Sequence, residues 1–348
     1  MSKYKFKNML FTVGLLFFGV GLICMLTTIA KLPDASAAGL EMINGKSTGL
    51  TFAFGGMIIN QASLDGIYKS FSTIFNQAYQ GAASMWDVVA MRVPTTAKSV
   101  DYKWLGDFPM MKEWLDERQI KDLSAFNYEI TNKPFEATIE VDRDDIEYDQ
   151  IGLYTPMFQG LGQSARQHPD ILVYALLTAG FSTTCFDGQY FFDTDHPVGT
   201  GTASNDGGGS GAPWFLMDLS RPLKPIILQI NKDPEFVAQD NPSDENVFMR
   251  KKFRYGVDDR KNVGFGLWQL AYGSKDTLNA TNYAAARAAM MAYTNSEGGK
   301  LGVRPTHLVY GPTNESAART VVVNERNSAG ASNPWYKTAE PVLVPWLT

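Results

Sequence analysis

The stretch from Cys185 to Pro197, CFDGQYFFDTDHP, holds three aspartates, a histidine and a cysteine. Asp193, Asp195 and His196 have the residue types of a divalent-metal site or of the acid/base corner of a hydrolase, so a metal-dependent hydrolase is one function they permit. The spacing argues against it. In extended chain Asp193 and Asp195 share one face and His196 points to the other. Asp187 is separated from them by GQYFF, no D-x-[DN]-x-[DN]-G loop or H-E-x-x-H occurs, and His168 and His307 are distant in sequence. Cys185, His196 and Asp193 make a conceivable nucleophilic set without a recognisable nucleophile context. Turn chemistry explains the stretch more simply. Asp and Thr bond their own backbone in turns, and His-Pro imposes an extended exit. The following glycine-rich run, 199–213, matches neither phosphate-loop pattern and is expected to be a flexible loop. No metal or cofactor is expected.

Several elements must position this stretch. The helical spacing of Leu64, Ile67, Phe71, Ile74, Phe75 and Ala78 predicts an amphipathic helix from Met57. MWDVVAMRVPTT reads as a strand ending at Pro94, and FEATIEVDRDDIEYDQ as an alternating strand followed by an acidic run. Residues 151–179 have helical spacing interrupted by Pro169, which either kinks one helix or opens a second with Asp170 at its positive end. Residues 214–275 are β-rich, 279–293 form an Ala/Met-rich helix, RPTHLVYGP is a short buried strand, and AEPVLVPWL a terminal one. The segment 95–133 is unusual in mixing charge with Trp104, Phe108, Trp114, Phe126 and Tyr128. It suits either an ordinary surface hairpin or a projecting one that docks on a partner.

The bulk numbers bound the class. The chain has 348 residues, 45% hydrophobic and 19% charged, which is globular composition. Residues 57–348 carry 26 Lys+Arg and 34 Asp+Glu, and 26 − 34 gives −8. That balance argues against a sequence-reading DNA binder. Cys24 and Cys185 are the two cysteines, so no disulfide framework is available. Residues 8–30 are uncharged and apolar, long enough for a membrane anchor; with ASA at 35–37 they also suit a secretory signal. An anchored or secreted protein is therefore a further reading. Another is that residues 1–56 are not part of the functional protein and Met57 is the true start.

The blocks WLGDFPMMKEWLDER, NKPFEATIEVDRDDIEYDQIGLY, ALLTAGFSTTCFDGQYFFDTDHP and VLVPWL, in this order, resemble the major head subunit (T protein) of Mu-like phages and prophages. The resemblance runs from about Met57 to Thr348, with no counterpart for residues 1–56. It implies an α+β, HK97-like capsid fold. Residues 57–98 would be an N-terminal arm and 99–133 an extended loop lying over a neighbouring subunit. Residues 134–182 would be a peripheral domain with a long spine helix, 183–320 an axial domain, and 321–348 a return to the peripheral domain. Trp104, Phe108, Trp114, Phe126 and Tyr128 become inter-subunit contact candidates. The implied function is structural, not enzymatic: pentamers and hexamers of one chain closing an icosahedral shell. Scaffold, portal and maturation protease are the implied partners. The shell would enclose double-stranded DNA without sequence-specific binding and be assembled in the bacterial cytoplasm, with no membrane role.

Overall fold

The structure, a computed structural model, describes residues 58–105, 127–327 and 329–347. The apolar run at 8–30 lies outside them. Among the described residues no helix is long and apolar enough to cross a membrane.

Helix α1, Gln61–Gly81, buries Leu64, Ile67, Phe71 and Phe75 of the stripe that the spacing predicts and leaves Ile74 and Ala78 half-buried. Its start is a capping box at Asn60. The Asn60 side chain accepts from the Ser63 N–H at 2.9 Å, and the Ser63 hydroxyl accepts from the Asn60 N–H at 3.0 Å. MWDVVAMRVPTT is not all strand, because one helical turn, α2 (Trp86–Val89), precedes β1 (Ala90–Pro94). Strands β2 (Ser99–Asp101) and β3 (Glu129–Thr131) pair antiparallel as the base of a hairpin. β4 (Lys133–Asp142) follows, and the acidic run after it becomes a short helix, α3 (Arg143–Glu147). Asp142 caps α3 by accepting from the Asp144 N–H at 3.1 Å.

Helix α4, Thr155–Ala179, runs unbroken through Pro169 for 25 residues. Asp170 does not open a second helix. Its buried carboxylate instead accepts from the Ser84 hydroxyl at 3.0 Å and from the Met85 and Trp86 N–H groups at 2.9 and 2.7 Å, capping α2. Helices α1 and α4 run in the same direction: Phe71 stacks on Phe158, Gly162 sits against Phe75 and Ala78, and Arg166 lies over Tyr79. A Cβ at Gly162 would stand 2.5 Å from the Phe75 carbonyl oxygen, so this crossing depends on glycine.

The remaining elements are β5 (His196–Val198), β6 (Gly201–Ala203), β7 (Asp206–Gly209), β8 (Trp214–Met217), β9 (Ile226–Gln239), α5 (Glu245–Arg250), β10 (Lys252–Phe265), β11 (Ala271–Lys275), α6 (Ala280–Ala292), β12 (His307–Tyr310), α7 (Glu315–Ala318) and β13 (Glu340–Leu343). One sheet has the order β1-β9-β10-β4 and a second the order β13-β12-β8-β11-β7. Two cores result. In the first, Phe158, Leu161 and Ala165 of α4 pack with α1 and with Val141, Phe236, Phe253 and Tyr255 of the four-stranded sheet. In the second, Val173, Tyr174 and Leu177 of the same helix pack with Phe191, Phe192 and the all-buried β8.

Three expectations change here. β9 and β10 lie within 183–320 yet complete the sheet that holds β1 and β4, so that span is not one structural piece. The C-terminal strand β13 pairs parallel with β12 rather than returning to the four-stranded sheet, because Val342 and Val344 bury in the second core. The glycine-rich run contributes an edge strand, β7, beside β11. Gly209 has φ +91°, and a Cβ there would lie 2.2 Å from the Asp276 nitrogen, so close approach of two backbones explains this glycine.

Candidate functional site

After α4 the chain doubles back on itself. The Cys185 N–H donates to the Gln189 carbonyl at 2.8 Å, with Gly188 at φ +87° in the turn. This turn brings Asp187, not Asp193 or Asp195, to His196. One Asp187 oxygen accepts from the Gln189 N–H and from the Cys185 thiol, each at 3.1 Å. The other lies 2.7 Å from His196 Nδ1. His196 Nε2 lies 3.1 Å from Asn205 Oδ1, and the imidazole stacks on Trp268 with centroids 4.1 Å apart. His196 and Asn205 are fully buried.

The hydrogen-bond accounting fixes the proton positions. The Asn205 amide nitrogen donates to the Phe191 and Ala271 carbonyls at 2.8 and 3.2 Å, and its oxygen accepts from the Asp193 N–H at 2.9 Å. The amide therefore cannot be reversed, and His196 Nε2 must be a donor. Nδ1 faces a carboxylate. Burial pushes the Asp187 carboxyl up, but hydrogen bonds from His196 and Cys185 outweigh it and hold the group below the usual carboxylate range. Asp187 and His196 Nδ1 therefore share a proton across 2.7 Å, with both side chains almost wholly shielded from solvent.

Cys185, Asp187 and His196 offer ligand atoms within 4.8 Å of one another, so a metal must be considered. Two ligands bound tetrahedrally to zinc at ordinary lengths stand about 3.4 Å apart. The 2.7 Å between Asp187 and His196 is a hydrogen-bond distance. The arrangement is that of a shared proton, and each polar atom of the three side chains has a protein partner.

The sequence-predicted set Asp193, Asp195 and His196 is thus not assembled. Asp193 accepts from the Tyr190 and Thr194 N–H groups at 3.1 and 2.7 Å, which makes it a turn residue. Asp195 is exposed on the face opposite buried His196, as alternation requires. Cys185 is no nucleophile: burial and the adjacent Asp187 carboxylate push its thiol up, and Asp187 stands between it and the imidazole. The signal that would have found Asp187 is Asp187-Gly188, a tight-turn dipeptide followed by paired chain.

The five hairpin aromatics divide. Trp104 is half-buried against its own core, edge-on to Tyr102 at 6.1 Å. The Tyr128 hydroxyl accepts from the Phe265 N–H at 2.8 Å, and burial raises it to about 12, with that hydrogen bond lowering it slightly. These two residues fasten the base of the hairpin to its own subunit. Phe108, Trp114 and Phe126 lie outside the described residues.

The two sheets, the spanning helix and the polar knot form a structural framework. Among solved structures, a chain of the bacteriophage JBD30 procapsid matches with a TM-score of 0.75 and 43% identity, covering 83% of this chain and 100% of that one. A chain of the JBD30 capsid matches with a TM-score of 0.68 and 32% identity, covering 84% and 100%. The fold is that of HK97-like phage capsid subunits. By sequence, the chain is 39% identical over 280 residues to the major capsid protein of Escherichia phage Mu, covering 77% of this chain and 92% of that protein. Residues 64–347 match the model of the Mu-like prophage major head subunit gpT. The chain belongs to that family and is a head subunit of the Mu type.

Proposed function

We propose that many copies of this chain, arranged as pentamers and hexamers, close an icosahedral head around double-stranded DNA. The observation that carries the reading is the match over the whole length of a procapsid subunit. The part built on the four-stranded sheet, with α1 and most of α4, is the peripheral domain, and the part built on the five-stranded sheet is the axial domain. The hairpin above β2 and β3 lies over a neighbouring copy. Since Trp104 and Tyr128 pack inward, Phe108, Trp114 and Phe126 are its anchors, buried aromatics being the usual source of contact energy. Scaffold, portal and maturation protease act on the assembling shell in the bacterial cytoplasm, and no catalytic step belongs to this chain. The −8 charge of residues 57–348 suits a container that holds DNA without gripping it.

The test is assembly of the purified chain, alone and with its scaffold, followed by sedimentation and electron microscopy. Capsomers or closed particles are expected. A strict monomer under every condition would overturn the proposal.

A further inference from the structure

Between helix α4 and the four-stranded sheet lies a small cavity of about 110 Å3. A single water needs roughly 10–15 Å3, so this space admits several waters or one tetrahedral oxyanion. Part of its wall is apolar, from Trp86, Leu228 and Ile230. Its charged lining is lopsided: Arg92, Arg166, Lys232 and Lys261 against one carboxylate, Asp233.

Three of the four cations have carboxylate partners. Arg92 donates through Nη2 to both Asp233 oxygens at 2.8 and 2.7 Å. Lys232 donates to Asp258 at 2.8 and 2.9 Å and lies 2.9 Å from Glu235. These two groups are on the solvent side, with Arg92, Asp233 and Glu235 exposed. Lys261 pairs with Asp259, and both side chains are almost wholly shielded. Arg166 is the exception. Its Nε is buried with no acceptor among the described residues, and its guanidinium lies over the Tyr79 ring, 5.6 Å from the centroid. Buried donors are nearly always satisfied, so an orphaned one beside a cavity calls for a partner inside it.

Donors and acceptors say what that partner is. Arg166 offers five N–H groups, and Arg92 leaves Nε and Nη1 unused among the described residues. The side-chain acceptors of the lining are the Asp233 carboxylate, both of whose oxygens Arg92 engages, and the Tyr79 hydroxyl. A water would bring two more donors into this space. An oxyanion brings acceptors together with the compensating charge. Lys261 points the same way: burial pushes its ammonium below the ordinary lysine range by more than Asp259 and Asp233 raise it, so its positive charge is under-compensated.

We propose that this cavity binds one small tetrahedral oxyanion of the phosphate or sulfate class, held by Arg166 of α4 together with Arg92 of β1 and Lys261 of β10. The guest ties the helix to the sheet beside Pro169, where α4 lacks a backbone N–H. The site lies within one subunit and does not depend on the shell reading.

The test is calorimetric titration of the full chain with inorganic phosphate in a phosphate- and sulfate-free buffer, beside its Arg166→Gln and Arg166→Lys variants. The parent should bind one phosphate per chain, saturably, and sulfate should compete. Arg166→Gln should bind at least about tenfold more weakly, and Arg166→Lys, which keeps the charge but loses the planar fork, should fall between. As a second measurement, phosphate should raise the melting temperature of the parent more than that of Arg166→Gln. Exclusion of phosphate from protein surfaces raises both alike, so the difference between them is the signal. Should Arg166→Gln fail to fold, Arg92→Gln at the exposed end of the cavity carries the test and should weaken phosphate binding severalfold. No saturable binding, equal affinity in parent and variants, or Arg166-dependent binding of a short single-stranded DNA but not of free phosphate would each overturn the proposal.

Discussion

Asp187 and His196 decide how the most chemically suggestive stretch of this chain behaves. Asp187→Asn replaces a carboxylate oxygen by an amide N–H and so leaves a buried partner without its acceptor, which should cost about 2 kcal/mol of subunit stability in urea unfolding. The pH dependence has a definite sign. Unfolded, the carboxylate titrates near 3.9; folded, it titrates lower. Its contribution is therefore complete above about pH 4 and is lost as pH falls through the folded value. The gap between parent and Asp187→Asn should accordingly hold from pH 7 to about 5 and shrink below about 4. Cys185 gives an independent check. With Cys24 replaced by serine, the folded chain should resist a thiol reagent that modifies it fully in denaturant, because burial and Asp187 hold the thiol protonated. Alternation along the chain was enough to separate His196 from Asp195. It could not reveal Asp187 as the partner, since that pairing depends on a turn at Gly188 and on an asparagine in a loop expected to be mobile.

At the scale of elements, local patterning and tertiary contact divided the outcome. The stripe of α1 and the alternation of β4 were legible because one period matched one buried face. The helical turn of α2 was not, because its cap comes from Asp170, far away in sequence. Asp170→Ala should lower stability by about 2 to 3 kcal/mol, since two N–H groups and a hydroxyl lose a buried acceptor. The glycine-rich run was read as a loop for its composition, yet its glycines permit a strand to lie against the end of β11. Gly209→Ala combines a left-handed backbone with a clash against backbone atoms and should cost about 3 kcal/mol, visible as a drop in melting temperature. The destination of the C-terminal strand had no local signal, since VLV fits either sheet and only burial beside β12 decides between them.

At the scale of the whole molecule, the net −8 of residues 57–348 sets a term that opposes gathering many copies. Screening that repulsion takes ionic strengths at which the Debye length falls to about 8 Å, near 0.15 M. Assembly should therefore need less protein at about 0.3 M salt than at about 0.03 M, as measured by light scattering, until apolar contacts rather than charge limit it. The two cores are bridged by only a few long elements, and each carries a defect at the boundary. In α4, Pro169 falls between Ala165 of one core and Val173 of the other and lacks the N–H of a helical rung. In the β9–β10 ladder the register slips between Asp258 and Lys261, and both defects border one small cavity lined by Arg166, Pro169, Ile230 and Lys261. The rod and the ribbon thus interrupt their regular backbone hydrogen bonding at the same level, the seam between the two packed interiors.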